Sequence, residues 1–188
     1  MNRGGGRVRI IAGRLRGSRI DVPVRAGLRP TPDRVRETLF NWLAPVLDGA
    51  RVLDLFAGTG ALGIEALSRG AAEVDFVERE RDLAEALRET LARLKQDAPV
   101  HAAAAAQFLA SARRPYAVVF LDPPYAANLW SEIAQRLETG AFLVDGALIY
   151  VESPRAATPD LPPNWRLQRE LLAGDVRAAL YRRVAHVG

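Results

Sequence analysis

Arg51-Val-Leu-Asp-Leu-Phe-Ala-Gly-Thr-Gly-Ala-Leu-Gly63 packs a strand, a turn and the start of a helix into one stretch. Val52, Leu53 and Leu55 are apolar and β-prone, which predicts a short buried strand. The chain then turns through 57–60, and Leu62, Ile64, Ala66 and Leu67 begin a helical pattern. Gly58, Gly60 and Gly63 keep the spacing G-x-G-x-x-G. The first two permit a tight turn with backbone close to a ligand, and the third permits close packing of helix on strand. The same glycines also suit a plain turn in an ordinary α/β domain, so the residues around them must decide.

Two acidic residues give the turn more meaning. Asp54 closes the strand, where a carboxylate can meet an amine or hydroxyl of a ligand. Glu78 closes the next apolar run, 74–77, where an acidic side chain can accept both hydroxyls of a ribose. Asp-x-x-x-Gly-x-Gly with a later Glu resembles the S-adenosylmethionine (SAM) site of Rossmann-like methyltransferases more than a NAD site.

With 188 residues the chain suits one folded domain, with room for a small appendage. It has no run of about eighteen apolar residues that would predict a membrane span. The segment 2–7 lacks the apolar centre of a signal peptide. There is no cysteine and there are only two histidines, His101 and His186, so no metal site is expected. The expectation is a cytoplasmic protein without a metal and without membrane contact. Net charge is +4, unevenly spread: residues 1–36 hold ten arginines against Asp21 and Asp33, and the remainder is acidic. A basic arm on an acidic body suits a phosphate-rich partner.

Within that arm, Val8, Ile10, Ile20 and Val22 alternate with polar residues on either side of Gly13 and Gly17. This predicts a β-hairpin whose polar face carries guanidinium groups, which grip phosphate bidentately and stack on bases. Arg7, Arg9, Arg14, Arg16, Arg19, Arg29 and Arg34 are the candidate RNA contacts. Residues 1–30 are expected to form this extension and 31–188 the main domain. Thr31 suits the N-cap of a helix and Pro32 its first position. Val35, Leu39, Trp42, Leu43 and Val46 would form its apolar face, leaving Arg34, Arg36, Glu37 and Asn41 for ligands or solvent.

Beyond the glycine turn, strand and helix alternate: a strand at 73–77, a helix near 80–95 with Leu83, Leu87, Leu91 and Leu94 inward, and a short strand ending at His101. A helix carrying Phe108 and Leu109 follows. This is the doubly wound pattern, in which ligands bind beyond the carboxyl ends of the strands. The apolar run 118–121 predicts a central strand that stops at Asp122-Pro123-Pro124-Tyr125. Two prolines can simply make a rigid turn, but here they fix a carboxylate and an aromatic ring at a strand end. A helix near 127–138, a strand at 147–151 ending at Glu152, a proline-rich loop and an antiparallel pair at 165–172 and 176–183 complete the chain.

Asp-Pro-Pro-Tyr resembles the catalytic signature of SAM-dependent methyltransferases that act on planar exocyclic amines. Together with Arg-Ile-Ile-Ala-Gly (9–13), the run from Leu28 to Leu43, and Ala-Leu-Ile-Tyr-Val-Glu-Ser (147–153), it is similar to the RsmD family, bacterial 16S ribosomal RNA guanine-N2 methyltransferases. The resemblance implies an α/β fold: a Rossmann-like seven-stranded methyltransferase sheet with helices on both faces, plus the N-terminal hairpin. It implies SAM as cofactor and 16S ribosomal RNA, in a partly assembled small subunit, as partner. Asp54, Phe56, Gly58 and Gly60 would line the methionine side of SAM, and Glu78 would hold its ribose. Asp122, Pro123, Pro124 and Tyr125 would form the reaction centre, with Asp122 also facing the cofactor. Ala104 stands where such enzymes often carry Asp or Asn near the adenine, leaving that contact to backbone N–H groups after His101 and to Phe108. Three other readings differ in kind. A DNA or protein amine methyltransferase needs no such hairpin, an RNA-binding assembly factor gains nothing from an intact tetrad, and a NAD-dependent oxidoreductase leaves the tetrad unexplained.

Overall fold

A computed structural model describes residues 6–24, 31–111 and 114–185. The predicted strand at the glycine turn is β3 (Arg51–Asp54), at the centre of a seven-stranded sheet. On one side of it lie β4 (Glu73–Glu78) and β5 (Val100–Ala102); on the other lie β6 (Tyr116–Leu121), β7 (Leu143–Pro154), β9 (Val176–Arg183) and β8 (Trp165–Ala173). The first five run parallel, whereas β9 is antiparallel to both β7 and β8. The chain leaves β3 toward β4 and returns on its other side as β6, so the sheet reverses direction between them and opens a crevice at their carboxyl ends.

Alternation along the strands sends successive side chains to two separate cores. Val52, Val118, Phe120, Leu148 and Tyr150 face the side covered by α1 (Asp33–Leu47), α2 (Ala61–Ser68) and α3 (Arg81–Arg93). Leu53, Val119, Leu121, Ile149 and Val151 face α4 (Ala105–Ser111) and α5 (Trp130–Thr139). Helices therefore cover both faces, as expected. The apolar stripe of α3 is Leu83, Leu87 and Leu91, with Leu94 just beyond the helix and only partly buried. The last parallel strand extends from Leu143 to Pro154, longer than its apolar run, because β9 pairs with it as far as Pro154.

The predicted hairpin forms from β1 (Arg7–Arg9) and β2 (Arg19–Asp21), and it is built into the body of the molecule. Val8, Ile10, Ile20 and Val22 are buried in the same core as α1 and α2. A carboxylate from α2 fastens the backbone. Glu65, fully buried, accepts the Ile11 N–H at 2.8 Å and the Ala12 N–H at 3.0 Å, and pairs with Arg69 at 2.7 Å. Arg36 lies 3.6 Å from the same carboxylate, donates to the Arg9 carbonyl at 2.9 Å and pairs with Asp33 at 2.6 Å. The sequence placed Arg36 among residues available to a ligand; its side chain is instead wholly buried, because Glu65 supplies a charge partner inside the core.

Thr31 also departs from expectation. The residue flanking α1 is Pro32, and the Thr31 hydroxyl makes no cap. It donates at 2.9 Å to the buried carboxylate of Glu152, far along the chain on β7. A charged acceptor in the interior gains more from that hydroxyl than an exposed helix end does.

Glu65 holds two cations and two backbone N–H groups in one buried cluster. Glu65→Ala is expected to lower unfolding free energy by about 3–5 kcal/mol in urea titrations, since the Ile11 and Ala12 N–H groups lose their acceptor, Arg69 loses its partner and the buried Arg36 keeps only the exposed Asp33 as a counter-charge. A loss below about 1 kcal/mol means that the cluster does not secure the hairpin.

Candidate active site

The crevice is bordered by acidic side chains on four adjacent parallel strands, Glu78 on β4, Asp54 on β3, Asp122 just after β6 and Glu152 on β7. Each is held differently. Glu78 accepts the N–H of Gly58 and that of Glu80, both at 2.8 Å, which fixes the carboxylate and leaves a lone pair on each oxygen for other donors. Asp54 is buried and accepts the Gly63 N–H at 3.0 Å. Burial pushes its carboxyl up to about 7; the Gly63 N–H pulls the other way and the nearby Glu78 charge adds to the rise.

The glycine turn explains why these groups can meet. Gly58 and Gly60 adopt φ of 52° and 78°, the left-handed region where a side chain is strained. Gly63 is in α2, where an added Cβ would lie 2.2 Å from the Phe76 ring and 3.0 Å from the Asp54 carboxylate. The third glycine thus permits the close approach of helix to strand that the spacing implied. Phe56, between the strand and the turn, is half-buried against the α4–α5 core.

At the end of β6, Pro123 is buried while Pro124 and Tyr125 are exposed. A single 3₁₀ turn, Tyr125–Ala127, follows, with the tyrosine ring 6.0 Å from that of Trp130. Among the described residues Asp122 has no hydrogen-bond donor. Burial first, and then the charges of Glu152 and Asp54, push its carboxyl well above the usual carboxylate range. The site therefore presents an acceptor that gains from a cation or an N–H donor.

Glu152, Thr31 and Tyr150 belong to the same constellation, although sequence reasoning gave them no part in the site. The Glu152 carboxylate is buried and accepts the Tyr150 hydroxyl at 2.8 Å and the Thr31 hydroxyl at 2.9 Å, both on Oε2. The Tyr125 hydroxyl approaches Oε1 at 3.5 Å, and the Trp130 indole N–H anchors the Glu152 carbonyl at 2.7 Å. Burial, then the charges of Glu152 and Asp122, push the Tyr150 hydroxyl well above its ordinary value, so it stays a donor. The available signal was that Glu152, like Asp122, follows an apolar run at a strand's carboxyl end.

The chain is similar to proteins of one family along almost its whole length. The family model described as Conserved hypothetical protein 95 matches residues 8–182. The ribosomal RNA small subunit methyltransferase D of Escherichia coli is 50% identical over 184 residues, covering 97% of this chain and 93% of the relative. The protein of the same name in Haemophilus influenzae is 43% identical over 182 residues, with 94% of each covered. The chain belongs to the RsmD family of methyltransferases. A solved structure of a putative methyltransferase from Escherichia coli, yhhF, superposes with a TM-score of 0.88 at 47% identity, covering 96% of this chain and 100% of that one.

In this RsmD-family enzyme Ala104 directly precedes α4 at the carboxyl side of β5, and its carbonyl accepts the Phe108 N–H at 3.0 Å. Of the backbone donors after His101, the Ala103 N–H is already committed to carbonyl oxygens of Glu78 and His101. The basic residues divide. Arg9, Arg16, Arg19 and Arg34 are exposed on the hairpin and α1. Arg7 pairs with Asp21 at 3.1 Å, and Arg14 is drawn onto the body through the Leu67 carbonyl and the Gln96 side chain. Arg29 lies outside the described residues. No helix among the described residues is long and apolar enough to cross a membrane.

The raised Asp54 carboxyl sets a sign for stability. The folded chain holds a proton there that the unfolded chain has lost above pH 3.8, so the contribution is full at low pH and lost as pH rises through about 7. In that window stability should fall by up to about 1.4 kcal/mol per pH unit from this group. Denaturation of the free protein at several pH values should show the slope in wild type and a flatter one in Asp54→Asn.

Proposed function

We propose that this methyltransferase moves a methyl group from SAM to the exocyclic N2 amine of a guanine in 16S ribosomal RNA, within a partly assembled small subunit in the cytoplasm. The observation that carries the reading is the row of four carboxylates beside the glycine turn and the Asp-Pro-Pro-Tyr corner. Acidic groups packed this closely favour a cationic cofactor, and the buried Asp54 with its raised proton affinity fits an ammonium partner. Glu78, already oriented by two N–H groups, has acceptor capacity left for a ribose diol. Gly58 and Gly60 keep the backbone open beside it. Support for the substrate comes from the relatives named ribosomal RNA small subunit methyltransferase D and from the exposed arginines of the hairpin.

When bound, SAM supplies an electrophilic methyl on a sulfonium that departs as a neutral thioether. The guanine amine is a poor nucleophile because its lone pair is delocalised into the ring. Asp122 and the Pro123 carbonyl accept its two N–H groups, which favours a pyramidal nitrogen with its lone pair free. Tyr125 lies flat against the base and fixes its plane. The methylated nitrogen is acidic and passes its surplus proton to the Asp122 carboxylate or to water, so no strong base is required and positioning carries most of the rate. A base that is stacked in the RNA must be turned out at a cost of a few kcal/mol, which favours an exposed nucleotide.

Transfer of labelled methyl from SAM to ribosomal RNA, immature small subunits, DNA or protein tests the reading, with nucleoside analysis locating the methyl group. In the same assay Asp122→Ala is expected to lose at least about a hundredfold in turnover. Its SAM affinity by calorimetry should change little; unimpaired turnover removes Asp122 from the chemistry.

The arginines are best tested without deleting the hairpin, because four of its side chains belong to the core. Replacing Arg9, Arg16 and Arg19 together by glutamine should weaken RNA binding. The slope of log affinity against log salt should fall by about 0.7–0.9 for each lost phosphate contact. An unchanged slope places the RNA surface elsewhere.

A further inference from the structure

We infer that Glu152 reads the base: its Oε1 accepts the N1–H of the target guanine and so selects guanine over purines that carry a lone pair at that position. The inference rests on the proposed methylation of a guanine amine and adds a residue that sets base identity.

The two oxygens of Glu152 are unequally satisfied. Oε2 takes hydroxyl donors from Tyr150 at 2.8 Å and Thr31 at 2.9 Å. At Oε1 the described residues offer only the long Tyr125 contact of 3.5 Å, near the limit of a hydrogen bond. A buried carboxylate with one oxygen so weakly occupied gains from a further donor. That oxygen lies on the side of Tyr125, the residue placed to stack on the base. The carboxylate itself cannot turn away, because Thr31 and Tyr150 grip one end and the Trp130 indole fixes the backbone.

Position within the sheet supplies the second part. Leu121 pairs with Val151, so the residues that follow them, Asp122 and Glu152, stand side by side at the ends of β6 and β7. Guanine presents the same two-part pattern on one edge: an amine at C2 and, next to it, an N–H at N1. With the amine on Asp122, the neighbouring N1–H falls toward the neighbouring carboxylate. Adenine, 2-aminopurine and 2,6-diaminopurine carry a lone pair at N1, which faces the Glu152 anion without a proton between them. A site with a buried acceptor rejects an analogue that lacks the matching donor far more strongly than a merely apolar pocket would.

The test uses the methyl-accepting guanine once nucleoside analysis has located it. That position is replaced by 2-aminopurine or by 2,6-diaminopurine through splinted ligation, and each RNA is assembled into the form that the enzyme methylates. Both analogues keep the C2 amine and lack N1–H; they differ at C6, which separates a C6 effect from an N1 effect. For wild type, kcat/KM should favour guanine over both by at least about a hundredfold. In Glu152→Gln, whose amide can donate to N1, that preference should shrink by tenfold or more, and intrinsic differences in amine reactivity cancel in the comparison. If Glu152→Gln lowers activity on all three RNAs by one factor, its role is structural and the inference is overturned. Should that variant fail to fold, competition binding of the three RNAs to wild type decides, since no chemistry intervenes. Equal binding overturns the inference, and rejection of both analogues alike supports it. A methyl group found away from N2 in the first step is a failure of the proposed function; an N2 methyl with no discrimination is a failure of this inference alone.

Discussion

Four acidic side chains end adjacent strands of one sheet, and the site is organised by how each is satisfied where burial, more than mutual repulsion, disfavours the charge of Asp54 and Asp122. Glu78 accepts two backbone N–H groups, Asp54 accepts one, and Glu152 accepts two hydroxyls. Asp122 receives no such donor among the described residues, and its carboxyl is pushed well above the usual carboxylate range. The gradient along the row is chemical as well as electrostatic. In the proposed function, the acceptors beside the glycine turn take an ammonium and a ribose, and those beside the proline corner take the N–H groups of a base.

The glycine turn serves this arrangement from below. A carboxylate as deeply buried as Asp54 is tolerable only if α2 comes close enough to donate from Gly63, and that approach exists because residue 63 has no side chain to meet Phe76. Changing the third glycine would therefore act on the acid row as well as on the packing of helix against strand.

The central strand, the order of strands and helices, and the Asp-Pro-Pro-Tyr corner were legible in the sequence because their signals are local: apolar runs, glycine spacing, a double proline. What was hidden depends on partners distant along the chain. Thr31 has the side chain of a helix cap, and only the folded sheet shows that its hydroxyl belongs to Glu152, 121 residues away. Arg36 looks like a solvated helix residue until Glu65 is placed inside the same core. Glu152 was visible as the end of a strand, but its importance comes from standing next to Asp122, a fact of strand pairing that no window of sequence contains. The hairpin was legible as a hairpin, while its burial was not, since Val8, Ile10, Ile20 and Val22 read the same on a free ribbon as on a docked one.

That docking has a consequence for how such an enzyme can change its target. An arm tethered by a linker can be exchanged between relatives as a cassette. Here the arm shares its apolar residues with α1 and α2, and its backbone N–H groups with a carboxylate of α2. A transplanted hairpin would have to match the host's interior before it could offer its arginines to a new RNA. On the proposed function, variation in recognition is therefore channelled to the outward-facing positions such as 9, 16 and 19, where side chains can change one at a time while the fold beneath stays constant.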